Sequence, residues 1–378
     1  MSSVTVNAAR MRTTRRMLGM SRENLSAITE GRVSVGTVAK LERGAPVEDD
    51  GTALYSLAAA LQVPSEFLLS QPSNDDYRET PSWRAVKKIP QYVADGLYER
   101  LVYFTDKYRD LEEYVEREQV KRSDLSPSIM ELRNQHEEGV PLGSDAIEQY
   151  AELMREHICI SQESSFACLE RIAETMESFG IKVASWSLPV GISGLSLVFG
   201  KDNDQDTPAG ASVLINHRHP VERRRFSLAH EWGHLVLPSA GNWQADEMAC
   251  NRFAGALLMP RDDLAQEVRS VLGGNIGEIG DAFCPELLNL KTRYGVSMAA
   301  LMRRCFDIGL VTSSERYTII CRRMGQRGWF RKEPEPRWQN AEETRGFVNL
   351  VKHLDEEDRQ RGVDQEFLDD VQFLEVVQ

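Results

Sequence analysis

Apolar positions along this chain recur mostly at helical spacing, in blocks separated by polar, Pro-containing stretches. The first block predicts five short helices. Ala8 to Leu18 ends at Gly19, Ser21 is placed to cap Arg22 to Thr29, and Glu30-Gly31-Arg32 forms a turn. Ser34 to Arg43 follows and closes at Gly44, then Thr52 to Leu61 and a last turn from Pro64 to Leu69. Gln71 to Pro90 is polar and broken by Pro72, Pro81 and Pro90, which predicts a linker. From Tyr92 to Lys121, a stripe of Val93, Leu97, Leu101, Phe104, Tyr108, Leu111 and Tyr114 predicts one long amphipathic helix, a spacer or a dimer seam. Ser123 to Gly143, with Pro127 and Pro141, reads as irregular.

Beyond this point the period changes. Asp145 to Glu156 and Ser165 to Phe179 keep helical spacing, but 180–184, 194–199 and 211–216 are short aliphatic runs that predict strands. Helical spacing returns at Phe226, Leu228, Ala229, Leu235 and Val236, stops at Pro238, and resumes from Gln244 to Met259. Pro260 to Val271, Pro285 to Tyr294 and Ser297 to Asp307 predict more helices, and Tyr317 to Arg323 a strand. After Pro334 and Pro336, Phe347, Val348, Val351 and Leu354, then Phe367, Val371 and Leu374, predict two amphipathic helices. The expected fold is α+β and mostly helical. Its parts are a helical domain over 1–75, a linker and long helix over 76–143, a domain with a small sheet over 144–332, and a C-terminal segment over 333–378.

Charge adds an asymmetry. The formal net charge is −13, so the chain as a whole is not a general nucleic-acid binder. Yet residues 1–44 hold eight basic groups against three acids, a local balance of +5, while 333–378 hold thirteen acids against five basic groups, a balance of −8. A basic front suits phosphate contacts. The acidic end reads as a solvated face, or as a surface that docks on the basic front and competes with DNA. No run of about 18 apolar residues exists to span a membrane, and the N-terminus lacks a signal-peptide core. The six cysteines show no C-x-x-C spacing, which predicts thiols in a reducing cytoplasm.

The chemistry concentrates at His230-Glu231-Trp232-Gly233-His234, an H-E-x-x-H run. Side chains four apart on a helix share a face, so two imidazoles could bind one Zn²⁺, with Glu231 placed as general base. Mn²⁺ is an alternative for the same ligand types. A third ligand must come from a neighbouring element. Glu247 is the best candidate, with Asn251 one turn on as a hydrogen-bond partner for its carboxylate; Asp246, Cys250 and the pair His217/His219 are rivals. The position six after His234 is Ala240, which excludes the metzincin pattern. The sheet edge could hold an extended peptide by strand addition.

Two stretches carry resemblances. Arg223-x-Arg225-Phe226-Ser227-Leu228-Ala229-His230-Glu231-x-Gly233-His234, then Glu247-x-x-x-Asn251-x-Phe253-Ala254 and Leu257-Leu258-Met259-Pro260, resemble the ImmA/IrrE family of metallopeptidases over about residues 145–310. The departures are Cys250, where the family has Ala, and Trp232, where an aliphatic residue is more usual. The resemblance implies a zincin-like fold, His230, His234 and Glu247 as ligands, Glu231 as base, and a repressor-type protein as substrate. Leu18-Gly19-Met20-Ser21-x-x-x-Leu25-Ser26, Val33-Ser34-x-x-Thr37-Val38-x-x-Leu41-Glu42-Arg43-Gly44 and Leu57-x-x-x-Leu61-x-Val63-Pro64-x-x-Phe67-Leu68 resemble the phage-repressor (XRE/Cro) helix-turn-helix. It implies DNA contacts from Arg22, Arg32, Ser34, Val35, Thr37 and Lys40. The first turn of its reading helix lacks the Arg, Asn or Gln that pair bases bidentately, so phosphate contact is the stronger expectation. The expected protein is a cytoplasmic zinc endopeptidase fused to a DNA-binding regulator. The alternative is a metal-stabilised regulator, or an antitoxin-like binding protein, without proteolysis.

Overall fold

The computed structural model describes residues 2–49, 52–69, 82–85, 90–115, 127–161, 169–189, 191–202, 205–271, 285–340 and 342–352. At the N-terminus, strand β1 (Ser2–Val4) pairs antiparallel with β2 (Val47–Asp49). Between them lie α1 (Ala8–Met17), α2 (Arg22–Ile28) and α3 (Val35–Leu41); α4 (Thr52–Leu61) and α5 (Ser65–Leu69) follow. The polar residue before each of the first three helices sets its start. The side-chain oxygens of Asn7, Ser21 and Ser34 accept from the backbone N–H groups of Arg10, Asn24 and Thr37. Met11, Leu25, Val38, Leu57 and Leu61 form the buried centre.

The long helix α6 (Gln91–Val115) lies against α1, and Leu97, Leu101 and Phe104 join the same core. Arg10 Nε donates to Glu99 at 2.8 Å, and Arg100 donates to the Leu61 carbonyl at 2.9 Å. Residues 116–121 of the predicted helix lie outside the described residues, as do 71–81 and 86–89 of the predicted linker. The linker does contain one regular element, β3 (Ser82–Ala85). The stretch expected to be irregular holds α7 (Pro127–Asn134), with Pro127 in the first turn, where its missing N–H costs nothing. Ile129 and Leu132 of α7 share a core with Ile147 and Tyr150 of α8 (Ser144–Ser161).

After α9 (Ile172–Ser178) come β4 (Lys182–Trp186), β5 (Ile192–Asp202) and β6 (Gln205–Asn216). Sheet order is β3-β5-β6-β4, antiparallel except for the parallel β4–β6 pair. Side chains alternate between its faces. Ala184, Trp186, Leu195, Leu197 and Leu214 face the core shared with the N-terminal helices and α6. Val183, Val213 and Ile215 face the core built from the later helices. The sheet is therefore a wall between two cores.

The later helices are α10 (Val221–Val236), α11 (Trp243–Leu258), α12 (Arg261–Val271), α13 (Pro285–Tyr294), α14 (Met298–Asp307), α15 (Ser314–Gln326) and α16 (Gly346–Lys352). Tyr317 to Arg323, expected as a strand, lies inside α15. Ser313 caps that helix through Arg316 N–H at 3.2 Å, and Ile320 and Met324, one turn apart, are buried.

The C-terminal segment also departs from expectation. Over 333–340 and 342–352 it forms a strap across the later helices, with Glu333 and Glu342 buried and Glu335 and Glu343 exposed; the remaining acids lie outside the described residues. Glu333 accepts from Met298 N–H at 2.6 Å, and Arg337 makes a bidentate pair with Glu222 at 2.6 and 2.8 Å. Trp338 covers the Arg225 guanidinium at 4.5 Å, and buried Glu342 pairs with buried Arg225. Arg225 also donates to the carbonyls of Gly295 and Leu169 at 2.9 and 2.8 Å. Gly295 sits at φ +63, and a Cβ there would lie 2.6 Å from Arg225 Nε, so the turn before α14 has no room for a side chain. Phe347 then packs on Phe104 and Tyr108 of α6, with both ring centroids 5.5 Å away. Leu354, Phe367, Val371 and Leu374 lie outside the described residues.

Candidate metal centre

The site is built where α10 crosses α11 beneath β5. Gly233 permits the crossing. A Cβ there would meet Phe253 at 3.1 Å and the Cα of Cys250 at 3.2 Å, so the two helices touch backbone to side chain. One face of α10 buries Leu228, Ala229, Trp232 and Val236, with Trp232 edge-on to Phe179 at 5.8 Å. The face towards α11 and β5 carries His230, Glu231 and His234. Asn242 caps α11 through the Gln244 and Ala245 N–H groups, which sets the start of the helix, and Glu247 in its first turns faces α10.

His230 Nε2 and His234 Nε2 lie 3.1 Å apart. A Glu247 oxygen sits 3.2 Å from His234 Nε2, and its other oxygen is 3.6 Å from His230 Nε2. One ligand atom from each of the three residues falls within 4.8 Å of the others. Two imidazole nitrogens and a carboxylate aimed at one point are disposed to share a cation. The same closeness couples their protonation. Burial works to lower the His234 pKa, but hydrogen bonds to Cys250 and Glu247 outweigh it and lift it to about 11. Burial works to raise Glu247, but His230 and His234 hold it down to about 2. The donor set fits a divalent cation with nitrogen and oxygen ligands.

Among the rivals for the third position, Asp246 and His217 face elsewhere, and Cys250 lies beside His234 but outside the cluster. Asp246 accepts from Ser239 Oγ at 2.9 Å and from Ala240 N–H at 2.6 Å, and so closes the α10–α11 turn. Cys250 is buried; burial raises its pKa, and its thiol hydrogen-bonds His234. His217 is exposed, 3.4 Å from Ser187 Oγ, and neither it nor His219 belongs to the cluster. Asn251 has a different partner from the one expected. Its Oδ1 lies 3.2 Å from His230 Nδ1, and its Nδ2 donates to the Glu247 backbone carbonyl at 2.7 Å. Because the amide already donates to that carbonyl, Oδ1 is left to accept, which places a proton on His230 Nδ1 and frees Nε2 as the ligand atom.

Glu231 is fully buried against β5. An ideal Cβ on Gly194 would lie 2.9 Å from Glu231 Oε1 and 3.0 Å from the Leu214 carbonyl oxygen. Arg223 donates to Ser193 Oγ at 3.0 Å and ties the start of β5 to α10. Gly194 and Ser193 went unremarked as site residues in the sequence; a glycine inside a strand pattern was the available signal of a close approach.

The N-terminal candidates are scattered by comparison. Arg22 Nε is tied to buried Glu42 at 2.6 Å, and Arg15 holds the other oxygen of Glu42 at 2.6 Å. Both cations neutralise an interior carboxylate, which removes Arg22 from the free surface charge. Arg32 and Lys40 are exposed, as are Ser34 and Val35; Thr37 is half-buried and shares a hydrogen bond with Ser34 at 2.9 Å.

Residues 176–306 match the IrrE N-terminal-like domain of the Peptidase_M78 family. The chain is 33% identical over 97 residues to the radiation response metalloprotease IrrE of Deinococcus radiodurans, covering 21% of this chain and 30% of that protein. It is 31% identical over 116 residues to the protein of the same name in Deinococcus deserti, covering 25% of this chain and 41% of that protein. The chain thus spans less than half the length of the curated relatives it matches. The domain match starts in α9 and ends in α14, so it takes in the whole candidate metal centre and leaves α1 to α6 outside.

Proposed function

We propose that this chain is a metal-dependent endopeptidase joined to a DNA-binding regulator, and that it cleaves a repressor-type protein. The observation that carries the reading is the convergence of His230, His234 and Glu247 beside the buried carboxylate of Glu231. His230, His234 and Glu247, a gluzincin-like set, would hold Zn²⁺, with Mn²⁺ as the alternative. When bound, the ion supplies Lewis acidity to a peptide carbonyl and lowers the pKa of water. Glu231 takes the proton of the attacking water and returns it to the leaving amine. Its confinement under Gly194 keeps the carboxylate at one height above the site. Asn251 fixes the His230 tautomer.

The regulator half is α1 to α5, read as a helix-turn-helix. Exposed Arg32 and Lys40, with exposed Arg16 and Arg43, supply phosphate contacts; Ser34, Val35 and Thr37 supply the groove-facing turn. With Arg10, Arg15 and Arg22 committed to interior partners, this face binds phosphate more than it reads bases. The relatives are named for a radiation response, which supports a setting of stress-regulated proteolysis.

The test uses purified full-length protein loaded with Zn²⁺ and a helix-turn-helix repressor as substrate. Glu231→Gln should abolish cleavage while metal content stays at the wild-type level. Cleavage that survives this change would overturn the enzyme reading and leave a metal-stabilised regulator.

A further inference from the structure

We propose that β3 is an intramolecular peptide ligand of the candidate metal centre. Residues 82–85 occupy the lane on β5 along which an extended substrate would lie, so the chain's own linker competes with substrate. The inference rests on the peptidase reading above and names what the site holds in the resting protein.

Three observations converge. First, β5 has β6 on one side and β3 on the other, so the edge that could accept an added strand is the one β3 covers. Second, the pairing is confined to the part of β5 over the site. Ser82, Trp83, Arg84 and Ala85 pair with Ser196, Leu195, Gly194 and Ile192, with a register shift between Arg84 and Ala85. Among the described residues, 197–202 of β5 have no strand on that side. Third, position 84 is opposite Gly194, where a Cβ would lie 2.9 Å from Glu231 Oε1, and β3 also contacts α10.

A peptide presented for hydrolysis must be extended, paired through its backbone, and held beside the general base. β3 meets all three requirements. It is also brief, four residues beside the eleven of β5, so an added peptide can displace it. The segment arrives from the N-terminal helices, so whatever pulls on them changes access to the site. If β3 is docked about nine-tenths of the time, the apparent affinity for a substrate in trans falls about tenfold.

The test compares the full-length protein with a Trp83→Pro/Arg84→Pro variant, which removes the two central backbone donors of the strand. Hydrogen exchange is read at the amides of 192–196, with and without a synthetic peptide of residues 78–89. The variant should exchange about tenfold faster there, and the peptide should restore protection. For a repressor-derived peptide, KM should fall about tenfold with kcat unchanged. Trp83→Gly, which keeps every donor and loosens the strand, should shift both readouts the same way by less. Unaltered exchange at 192–196, or a peptide that restores nothing, overturns the proposal. If protection behaves as expected while neither protein cleaves any peptide, the lane stands and the peptidase reading falls. If cleavage is present and KM does not move, the lane is wrong and the peptidase reading stands.

Discussion

Gly194→Ala is the smallest change that should separate catalysis from metal binding. The new Cβ would lie 2.9 Å from Glu231 Oε1 and 3.0 Å from the Leu214 carbonyl oxygen, where ordinary contact starts at 3.4 Å. The Leu214 carbonyl belongs to the part of β6, 212–216, that is buried and paired on both sides, so it has little room to retreat. The Glu231 carboxylate must move instead, by roughly half an ångström. A misplacement of about 1 Å can cost a hundredfold in rate, so half of that predicts about a tenfold loss. None of the three atoms nearest the new Cβ belongs to His230, His234 or Glu247, and metal binding through them should be unchanged. The assay is initial-rate cleavage of a peptide, with metal content and thermal unfolding measured on the same preparation. Expected are kcat down about tenfold, KM within about twofold, and full metal occupancy. Glu231→Asp, a shorter carboxylate, should cost less on the Gly194→Ala background than on the wild type. A wild-type kcat in Gly194→Ala, or an activity loss that tracks loss of metal, would refute the reasoning.

Other predictions follow from the same contacts. His230→Ala and Glu247→Ala should each lower zinc content well below wild type, while Asp246→Ala should leave it intact; equal zinc in all four proteins would remove the site assignment. Glu342→Ala leaves the Arg225 cation buried without its carboxylate, a loss of about 3–5 kcal/mol that calorimetry would record as a lower Tm. Glu177 is pushed up to about 7 by burial, although the Gly346 and Arg345 backbone N–H groups act against the shift. Its charged form is thus disfavoured in the folded state. The stability it contributes is fully present below about pH 4.5 and is lost as pH rises through about 7, by about 3 kcal/mol at most. Glu177→Gln should flatten that part of the stability–pH curve measured by denaturant unfolding, and an unchanged slope would place the titration elsewhere.

Much of the site is legible in the sequence because its contacts are local. His230 and His234 are one turn apart, and Glu247 and Asn251 are one turn apart on the next helix, so helical period alone predicts which side chains share a face. Which face meets which is a tertiary matter. Asn251 was expected to serve the Glu247 carboxylate, but the helix crossing at Gly233 brings it to His230 Nδ1. The run Tyr317-Thr318-Ile319-Ile320 looks like a strand on β-branched content, yet it is a helix because Ser313 caps it and Ile320 and Met324 have a core to enter. β3 was hidden among prolines because its partner lies more than a hundred residues away. Acidic composition concealed the strap, since nothing local reveals that Glu333 and Glu342 are buried against an N–H group and an arginine.

The wall formed by the sheet has a consequence for how the protein is made. Its far side is closed by helices from the beginning of the chain and by Phe347 from near the end of the described part. During synthesis the early helices emerge with Leu97, Leu101 and Phe104 before the strands that cover them exist. Until residue 347 is in place, the sides of Phe104 and Tyr108 that Phe347 covers stay bare, the kind of transient apolar surface that makes a partly folded chain prone to aggregate.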